Sequence, residues 1–218
     1  MLEIKHLVMC YPGAPSKVLD NVNLVAKAGV TGIIGPSGSG KTTLFRVIAG
    51  QLAPESGEIL LNKAPLTAQT RIGLVFQDFR LIDFLNVEDN VNVARNLNGL
   101  PSDPRRCQGI LKSVGLGGLE SRALNSLSGG QLQRVAIARA LAIEPDILLA
   151  DEPTGALDRK NSDVVAALLH ELGERESIPI LLATHDLRLA RTAQRVYSLD
   201  GEGGMDPHVI EPHAGDPA

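Results

Sequence analysis

The sequence predicts an α/β fold with a mainly parallel β-sheet, on the strength of three observations. Short apolar runs alternate along the chain with stretches of helical periodicity, which is typical of strands joined by helical crossovers. A glycine-rich loop lies between one apolar run and the helix-like stretch after it. Polar residues follow directly after several other runs. We expect strands near residues 2–9, 22–26, 30–34, 59–61, 72–76, 147–150, 180–183 and 196–199.

The glycine-rich loop fits the phosphate-loop pattern G-x-x-x-x-G-K-[ST]. Its glycines allow successive backbone N–H groups to face a phosphate. We expect Lys41 to reach the β- and γ-phosphates of a nucleotide and Thr42 to hold Mg²⁺, with the following helix adding its positive end. An ordinary glycine-rich turn is the alternative, which the order of strand, loop and helix disfavours. The predicted nucleotide-binding residues here are Gly35, Pro36, Ser37, Gly38, Ser39, Gly40, Lys41, Thr42 and Thr43.

Two carboxylates follow the apolar run at 147–150. A buried strand that ends in this way opens onto the crevice where parallel sheets bind nucleotides. We expect Asp151 to hold Mg²⁺ and Glu152 to polarise the water that attacks the γ-phosphate. The alternative is a solvated strand end, which the phosphate loop on the same chain disfavours.

A second motif, Leu127-Ser128-Gly129-Gly130-Gln131, precedes apolar residues at helical spacing. Ser128 and Gln131 form the pattern of a capping box, so a plain helix start is one interpretation. That interpretation leaves Gly129 and Gly130 unexplained, because glycine in a first helical turn costs stability unless the backbone must approach another group closely. A γ-phosphate at the helix N-terminus is such a group.

Composition favours one globular domain in a reducing compartment. The chain has 218 residues, 44% of them hydrophobic, and a net charge of −4 without a basic stripe, so nucleic acid is not an expected partner. Cys10 and Cys107 are too few for a disulfide framework, and no metal-ligand spacing is present. No run approaches the roughly 20 apolar residues of a membrane span, and the N-terminus has the pattern of a strand, not of a signal peptide.

Taken together, the motifs resemble those of the ATP-binding cassette (ABC) ATPases over about residues 1–205. Residues 127–131 are similar to the family's signature sequence and Leu157-Asp158 to its D-loop. Tyr11 resembles the aromatic residue that stacks on adenine, Gln77 the Q-loop glutamine and His185 the switch histidine. The resemblance implies a RecA-like P-loop NTPase core, an N-terminal antiparallel β-subdomain and a helical subdomain inserted at about 79–144.

The resemblance also implies ATP and Mg²⁺ as ligands, with Thr42, Gln77 and Asp151 at the metal. Lys41, Gln77, Glu152 and His185 would serve catalysis. Single residues keep a structural alternative: Tyr11 as a half-buried aromatic residue, Gln77 as a loop residue, and His185 as a structural histidine. The apolar run before His185 nevertheless directs it to the crevice that holds Asp151.

In this family two nucleotide-binding domains face each other, so the resemblance implies a homodimer formed on ATP binding, in which Ser128 and Gly130 serve the partner's γ-phosphate. It also implies an integral membrane permease subunit, docked near Gln77 and the apolar segment 79–91, and a location on the cytoplasmic face of the cell membrane. Residues 77–81, 86–91 and 151–158 resemble the lipoprotein-release, macrolide-export and cell-division group. The alternative to transport is transmembrane signalling that regulates cell-wall remodelling, as in the cell-division member; a soluble repair or translation ATPase is disfavoured.

The C-terminal residues 200–218 have a different composition. They include three Pro, four Gly, five acidic residues and no Lys or Arg. A segment of this kind has little apolar surface to bury. We therefore expect a mobile terminus, with 206–218 disordered.

Overall fold

Two β-sheets organise the part of the chain that the computed structural model describes, residues 1–208. The N-terminal sheet is antiparallel, with strand order β2-β1-β4-β5. Its strands are β1 (Leu2–Met9), β2 (Leu19–Ala26), β4 (Ser56–Leu61) and β5 (Ala64–Pro65). In β1 the buried positions shift from Leu2 and Ile4 to Leu7 and Met9, because an irregularity in the pairing, with His6 at a φ of 50°, reverses the alternation.

The second sheet has six strands and forms the core of the chain. Its order is β10-β9-β3-β8-β7-β6, and every neighbouring pair is parallel except β10 with β9. The strands are β3 (Gly29–Ile34), β6 (Ile72–Phe76), β7 (Ile147–Asp151), β8 (Pro179–Ala183), β9 (Arg195–Leu199) and β10 (Met205–His208). All residues of β3 and β8 are buried, as expected for strands covered on both faces.

The helices are α1 (Lys41–Ile48), α2 (Val87–Leu97), α3 (Pro104–Ser113), α4 (Gly129–Ala142), α5 (Arg159–Arg175) and α6 (Leu187–Ala190), with a 3₁₀ turn at Leu124–Ser126. A side chain caps the start of each helix after α1 by accepting a backbone N–H. The caps are Asn86, Asp103, Ser128, Asp158 and Asp186. Helices α2, α3 and α4 lie between β6 and β7 in sequence, so the predicted helical insertion is present.

Alternate residues of the central strands divide the core into two layers. In β7, Leu148 and Ala150 pack with the helical insertion and α5. Ile147 and Leu149 pack instead with α1 and the N-terminal sheet. Because β3, β8 and β7 run parallel, the end of β3, the start of α1 and the end of β7 lie at one edge of the sheet. In residues 1–208, no helix is both long and apolar enough to span a membrane.

The prediction for the C-terminal segment is wrong for residues 205–208. They form β10, which pairs antiparallel with β9. The preceding turn also reaches the N-terminal sheet, where Asp20 donates its backbone N–H to the Gly203 carbonyl at 2.8 Å. Composition could not predict this order, because pairing with β9 and the contact of Gly203 with the N-terminal sheet supply it. The rest of the predicted disorder, at 209–218, lies outside the described residues.

Candidate nucleotide-binding site

A cleft of about 740 Å³ lies at the carboxyl edge of the core sheet, over the loop between β3 and α1. The chain reaches it from five separate segments, including the ends of β6, β7 and β8. Its lining residues are Tyr11, Val18, Ser37, Gly38, Ser39, Gly40, Lys41, Thr42, Thr43, Gln77, Asp151, Glu152 and His185. All of these except Val18 were predicted from the sequence, and the fold brings them into a single cleft.

The first residues of the phosphate loop accept hydrogen bonds from the lysine of the same loop. Lys41 is buried, and its Nζ donates to the carbonyl oxygens of Gly35 at 2.8 Å and Pro36 at 3.0 Å. Gly35 has a φ of 154°, and a Cβ there would lie 2.6 Å from the Leu199 carbonyl oxygen of β9. Only glycine therefore fits at the start of this loop. Gly35 and Pro36 do not line the cleft. Their carbonyl oxygens instead hold the ammonium group of Lys41, which does line it.

Two oxygen ligands suited to a hard cation meet at the end of the loop. Thr42 donates through Oγ1 to Oδ2 of Asp151 at 2.9 Å. Burial raises the pKa of Asp151, and the neighbouring Glu152 adds to that effect, while the Thr42 hydrogen bond and Lys41 oppose it. A hydroxyl beside one carboxylate fits Mg²⁺, which binds through few protein oxygens and keeps the remaining positions for water and phosphate.

Glu152 and His185, which line the same cleft, are in direct contact. His185 Nδ1 is 2.9 Å from Glu152 Oε2. Glu152 has a φ of 48°, and its backbone is held by bonds from its N–H to the Ala183 carbonyl and from the Gly155 N–H to its own carbonyl. A strained backbone at a catalytic candidate fixes the direction of the side chain. The sequence predicted both residues here but gave no signal for their contact.

Gln77 follows β6 and lines the cleft. Its side chain lies against the backbone of Gly155, where a Cβ would be 2.8 Å from Gln77 Nε2. The residue therefore occupies the wall of the cleft next to the loop that carries Glu152. Its predicted contact with a metal stays a prediction.

Tyr11 lies at the rim of the cleft and is partly buried against the core of the N-terminal sheet. Its hydroxyl is 3.1 Å from Thr43 Oγ1. The position is compatible with both interpretations made from the sequence, since the ring packs on the core and also lines the cleft. Adenine stacking stays a prediction. Val18, the lining residue that sequence reasoning missed, carries no motif that could have identified it.

The signature residues Ser128, Gly129, Gly130 and Gln131 are not among those that line the cleft. They start α4, where the predicted capping box is present: Ser128 Oγ accepts the Gln131 N–H at 3.3 Å, and Gln131 Oε1 accepts the Ser128 N–H at 2.8 Å. Packing within the chain supplies a reason for Gly130 that the sequence did not. A Cβ at Gly130 would lie 2.3 Å from Oδ1 of Asn161 in α5.

The fold and the cleft define a phosphate-loop nucleotide-binding protein with a carboxylate and a histidine beside the phosphate site. Comparison with known proteins narrows this class. The family model described as ABC transporter matches residues 19–155. The chain belongs to the ABC transporter family.

Individual relatives agree with this assignment. The chain is 42% identical over 243 aligned positions to the phosphonates import ATP-binding protein PhnC of Bordetella parapertussis, covering 96% of this chain and 94% of that protein. It is 40% identical over 194 positions to the taurine import ATP-binding protein TauB of Pseudomonas fluorescens, covering 87% and 74%.

Solved structures give the same result at the level of the fold. A dimeric structure of MJ0796, a bacterial ABC transporter cassette, matches with a TM-score of 0.81 and 34% identity over 94% of this chain and 97% of that chain. A dimeric post-hydrolysis state of the same cassette, bound to ADP and Pi, matches with a TM-score of 0.80 and 34% identity over 95% and 98%. The predicted fold class is confirmed, and the chain is an ATP-binding and ATP-hydrolysing subunit of this family.

Proposed function

We propose that two copies of this chain associate around two ATP molecules and thereby drive a separate membrane permease. Each ATP would lie between the phosphate loop of one copy and the start of α4 of the other. One observation carries this proposal: the cleft holds Lys41, Glu152 and His185, while Ser128 and Gly130 lie outside it. This separation supports two half-sites per chain, each completed by a second copy.

The start of α4 has the chemistry of a γ-phosphate ligand. The Ser128 Oγ lone pairs accept the Gln131 N–H, which leaves the hydroxyl hydrogen available to a phosphate oxygen. Gly129 is exposed and has no side chain to block an approaching nucleotide, Gly130 brings the first turn close to α5, and the helix dipole favours an anion there. These residues would complete the partner's site.

Within the cleft, each side chain has a distinct role in the proposed reaction. Lys41 and the loop N–H groups would bind the phosphates, and Tyr11 would stack on adenine. Thr42, Asp151 and Gln77 would hold Mg²⁺, which when bound neutralises charge on the phosphate oxygens. Glu152 would accept a proton from the attacking water, with His185 holding the carboxylate in place and contacting the γ-phosphate.

The membrane partner is inferred from the relatives and from one exposed segment. PhnC and TauB carry the names of import ATP-binding proteins, which supports transport over signalling but does not favour the lipoprotein-release, macrolide-export and cell-division group. In segment 79–91, Phe84 is 89% exposed, and the enrichment of aromatic side chains at protein interfaces supports docking at this residue. We place the chain on the cytoplasmic face of the membrane, attached through the permease.

The test of this proposal is dimer formation on ATP binding. Glu152→Gln keeps the side-chain size while removing the proposed base, so ATP should persist in the site. Light scattering should give twice the monomer mass with ATP and the monomer mass with ADP. The double variant Lys41→Ala/Glu152→Gln is the control and should stay monomeric. A Glu152→Gln protein that binds ATP and remains monomeric contradicts the shared site.

A further inference from the structure

The turn that follows Gln77 has a backbone conformation that its own residues disfavour. Phe79 and Arg80 are consecutive, neither is glycine, and their φ angles are 56° and 49°. Left-handed backbone is sterically unfavourable for residues with a Cβ, and two in succession persist only where surrounding groups hold them. The turn therefore depends on contacts from outside its own sequence.

Arg139 of α4 supplies these contacts. Its Nη2 donates to the carbonyl oxygen of Phe79 at 2.8 Å, and its Nη1 donates to the carbonyl oxygen of Arg80. Burial, together with the charge of Arg80, lowers the pKa of Arg139, and hydrogen bonds from a half-buried guanidinium are stronger than those from a neutral donor. The planar guanidinium presents two N–H groups to two neighbouring acceptors, a geometry that a lysine ammonium does not reproduce.

The side chain of Arg80 also contacts the residues that precede the turn. Its guanidinium lies 3.8 Å from the centre of the Phe76 ring, and its Nε donates to Asp78 at 3.2 Å. A second side chain of α4, Gln133, donates to the Phe76 carbonyl at 3.5 Å. Helix α4 thus contacts the backbone both before and after Gln77.

Gln77 is exposed and lies between these backbone contacts. It lies between the end of β6 and the held turn, and its side chain rests on Gly155 in the wall of the nucleotide cleft. A change in the turn would therefore alter the backbone that carries the Gln77 amide to the cleft.

We propose that Arg139 is a positioning residue for ATP hydrolysis. By binding the carbonyl oxygens of Phe79 and Arg80 it fixes the turn, and the turn fixes the Gln77 amide. The inference rests on the proposed role of Gln77 at the nucleotide. Helix α4 would then act at two sites. Ser128, at the start of the helix, would serve the partner's nucleotide, and Arg139, near the end of the helix, would position Gln77 in the cleft of its own chain.

A double-mutant cycle tests this inference. ATPase kinetics are measured for wild type, Arg139→Lys, Gln77→Ala and the double variant. Arg139→Lys should lower kcat by about tenfold while KM for ATP changes by less than about twofold. Because Arg139 acts through Gln77, the double variant should be no slower than Gln77→Ala alone. Effects that multiply in the double variant would overturn the inference.

Hydrogen exchange gives a second readout that does not depend on activity. Peptides within 76–85 should exchange faster in Arg139→Lys, while those from β7 stay unchanged. The matched control is Arg95→Lys, since Arg95 is a buried arginine that, like Arg139, binds two backbone carbonyls, of Pro101 at 3.1 Å and Ala142 at 2.8 Å. The control should leave exchange at 76–85 unchanged. Any effect of Arg95→Lys on kcat should multiply with that of Gln77→Ala.

The two proposals fail in different ways. If Gln77→Ala leaves kcat unchanged, the role of Gln77 in the proposed function is wrong, whatever Arg139 does. If Gln77→Ala impairs hydrolysis but Arg139→Lys matches wild type in kcat and in exchange at 76–85, the positioning role of Arg139 is wrong and that of Gln77 stands.

Discussion

His185 Nδ1 lies 2.9 Å from Glu152 Oε2, joining residues that follow two adjacent strands, β8 and β7. The carboxylate is 19% exposed and the imidazole 71% exposed. When the imidazole donates from Nδ1, Nε2 remains for a second contact toward solvent. The pair therefore places a proton acceptor inside the cleft and a more accessible ring beside it, which is the arrangement expected where water must attack a bound phosphate.

Glu152→Gln should reduce ATP hydrolysis by about 10²-fold or more, because the amide cannot accept the proton of the attacking water. ATP binding should persist, since the side chain stays nearly the same size. Steady-state phosphate release and binding of a fluorescent ATP analogue measure the two effects separately. Glu174→Gln, at an exposed position on α5, is the control and should match wild type. Hydrolysis by Glu152→Gln within a few-fold of wild type excludes Glu152 as the general base.

Asp151→Asn should stabilise the metal-free protein while reducing hydrolysis. Burial raises the pKa of Asp151, so the folded state binds its proton more tightly than the unfolded state does. The contribution of Asp151 to stability is then greatest at low pH and is lost as pH rises through the folded-state pKa. In EDTA, the melting temperature of Asp151→Asn should exceed that of wild type at pH 7, and the difference should shrink on acidification. A lower melting temperature at pH 7 would show that the ionised carboxylate is favourable there.

Phe84→Asp should leave the fold and nucleotide binding intact but abolish recovery with membranes. Because Phe84 is 89% exposed, a charge there removes apolar contact area from a partner without disturbing the core. Leu97→Asp, at an apolar side chain that is 81% exposed outside segment 79–91, is the matched control. Co-sedimentation with native membranes and thermal melting are measured for both variants. Unchanged co-sedimentation of Phe84→Asp excludes this residue from docking, and a large loss of melting temperature assigns it to the core instead.

The sequence predicted the parallel core well because buried strands and the residues after them are local signals. The phosphate loop, Asp151, Glu152 and His185 lie together since the carboxyl ends of neighbouring parallel strands share one edge. What it could not predict depends on tertiary contacts. Strand β10 is ordered by pairing with β9, in spite of a composition typical of disorder.

The motif residues also carry contacts that their local pattern does not predict. Gly130 faces Asn161 of α5, so the close approach inferred from two glycines has a partner within the same chain. The left-handed backbone of Phe79 and Arg80 has no glycine to indicate it. Its support comes from Arg139, some sixty positions further along the chain. Such features follow from tertiary packing and not from propensity.

Complementation between two inactive variants tests the shared site most directly. Lys41→Ala disables the phosphate loop, and Ser128→Arg disables the start of α4. A mixed dimer has one site with both defects and one site with neither, so the mixture should recover roughly a quarter of the wild-type ATPase rate if sites turn over independently. Each variant alone should be inactive. Mixed dimers that are shown to form and remain inactive would contradict an ATP site built from two chains.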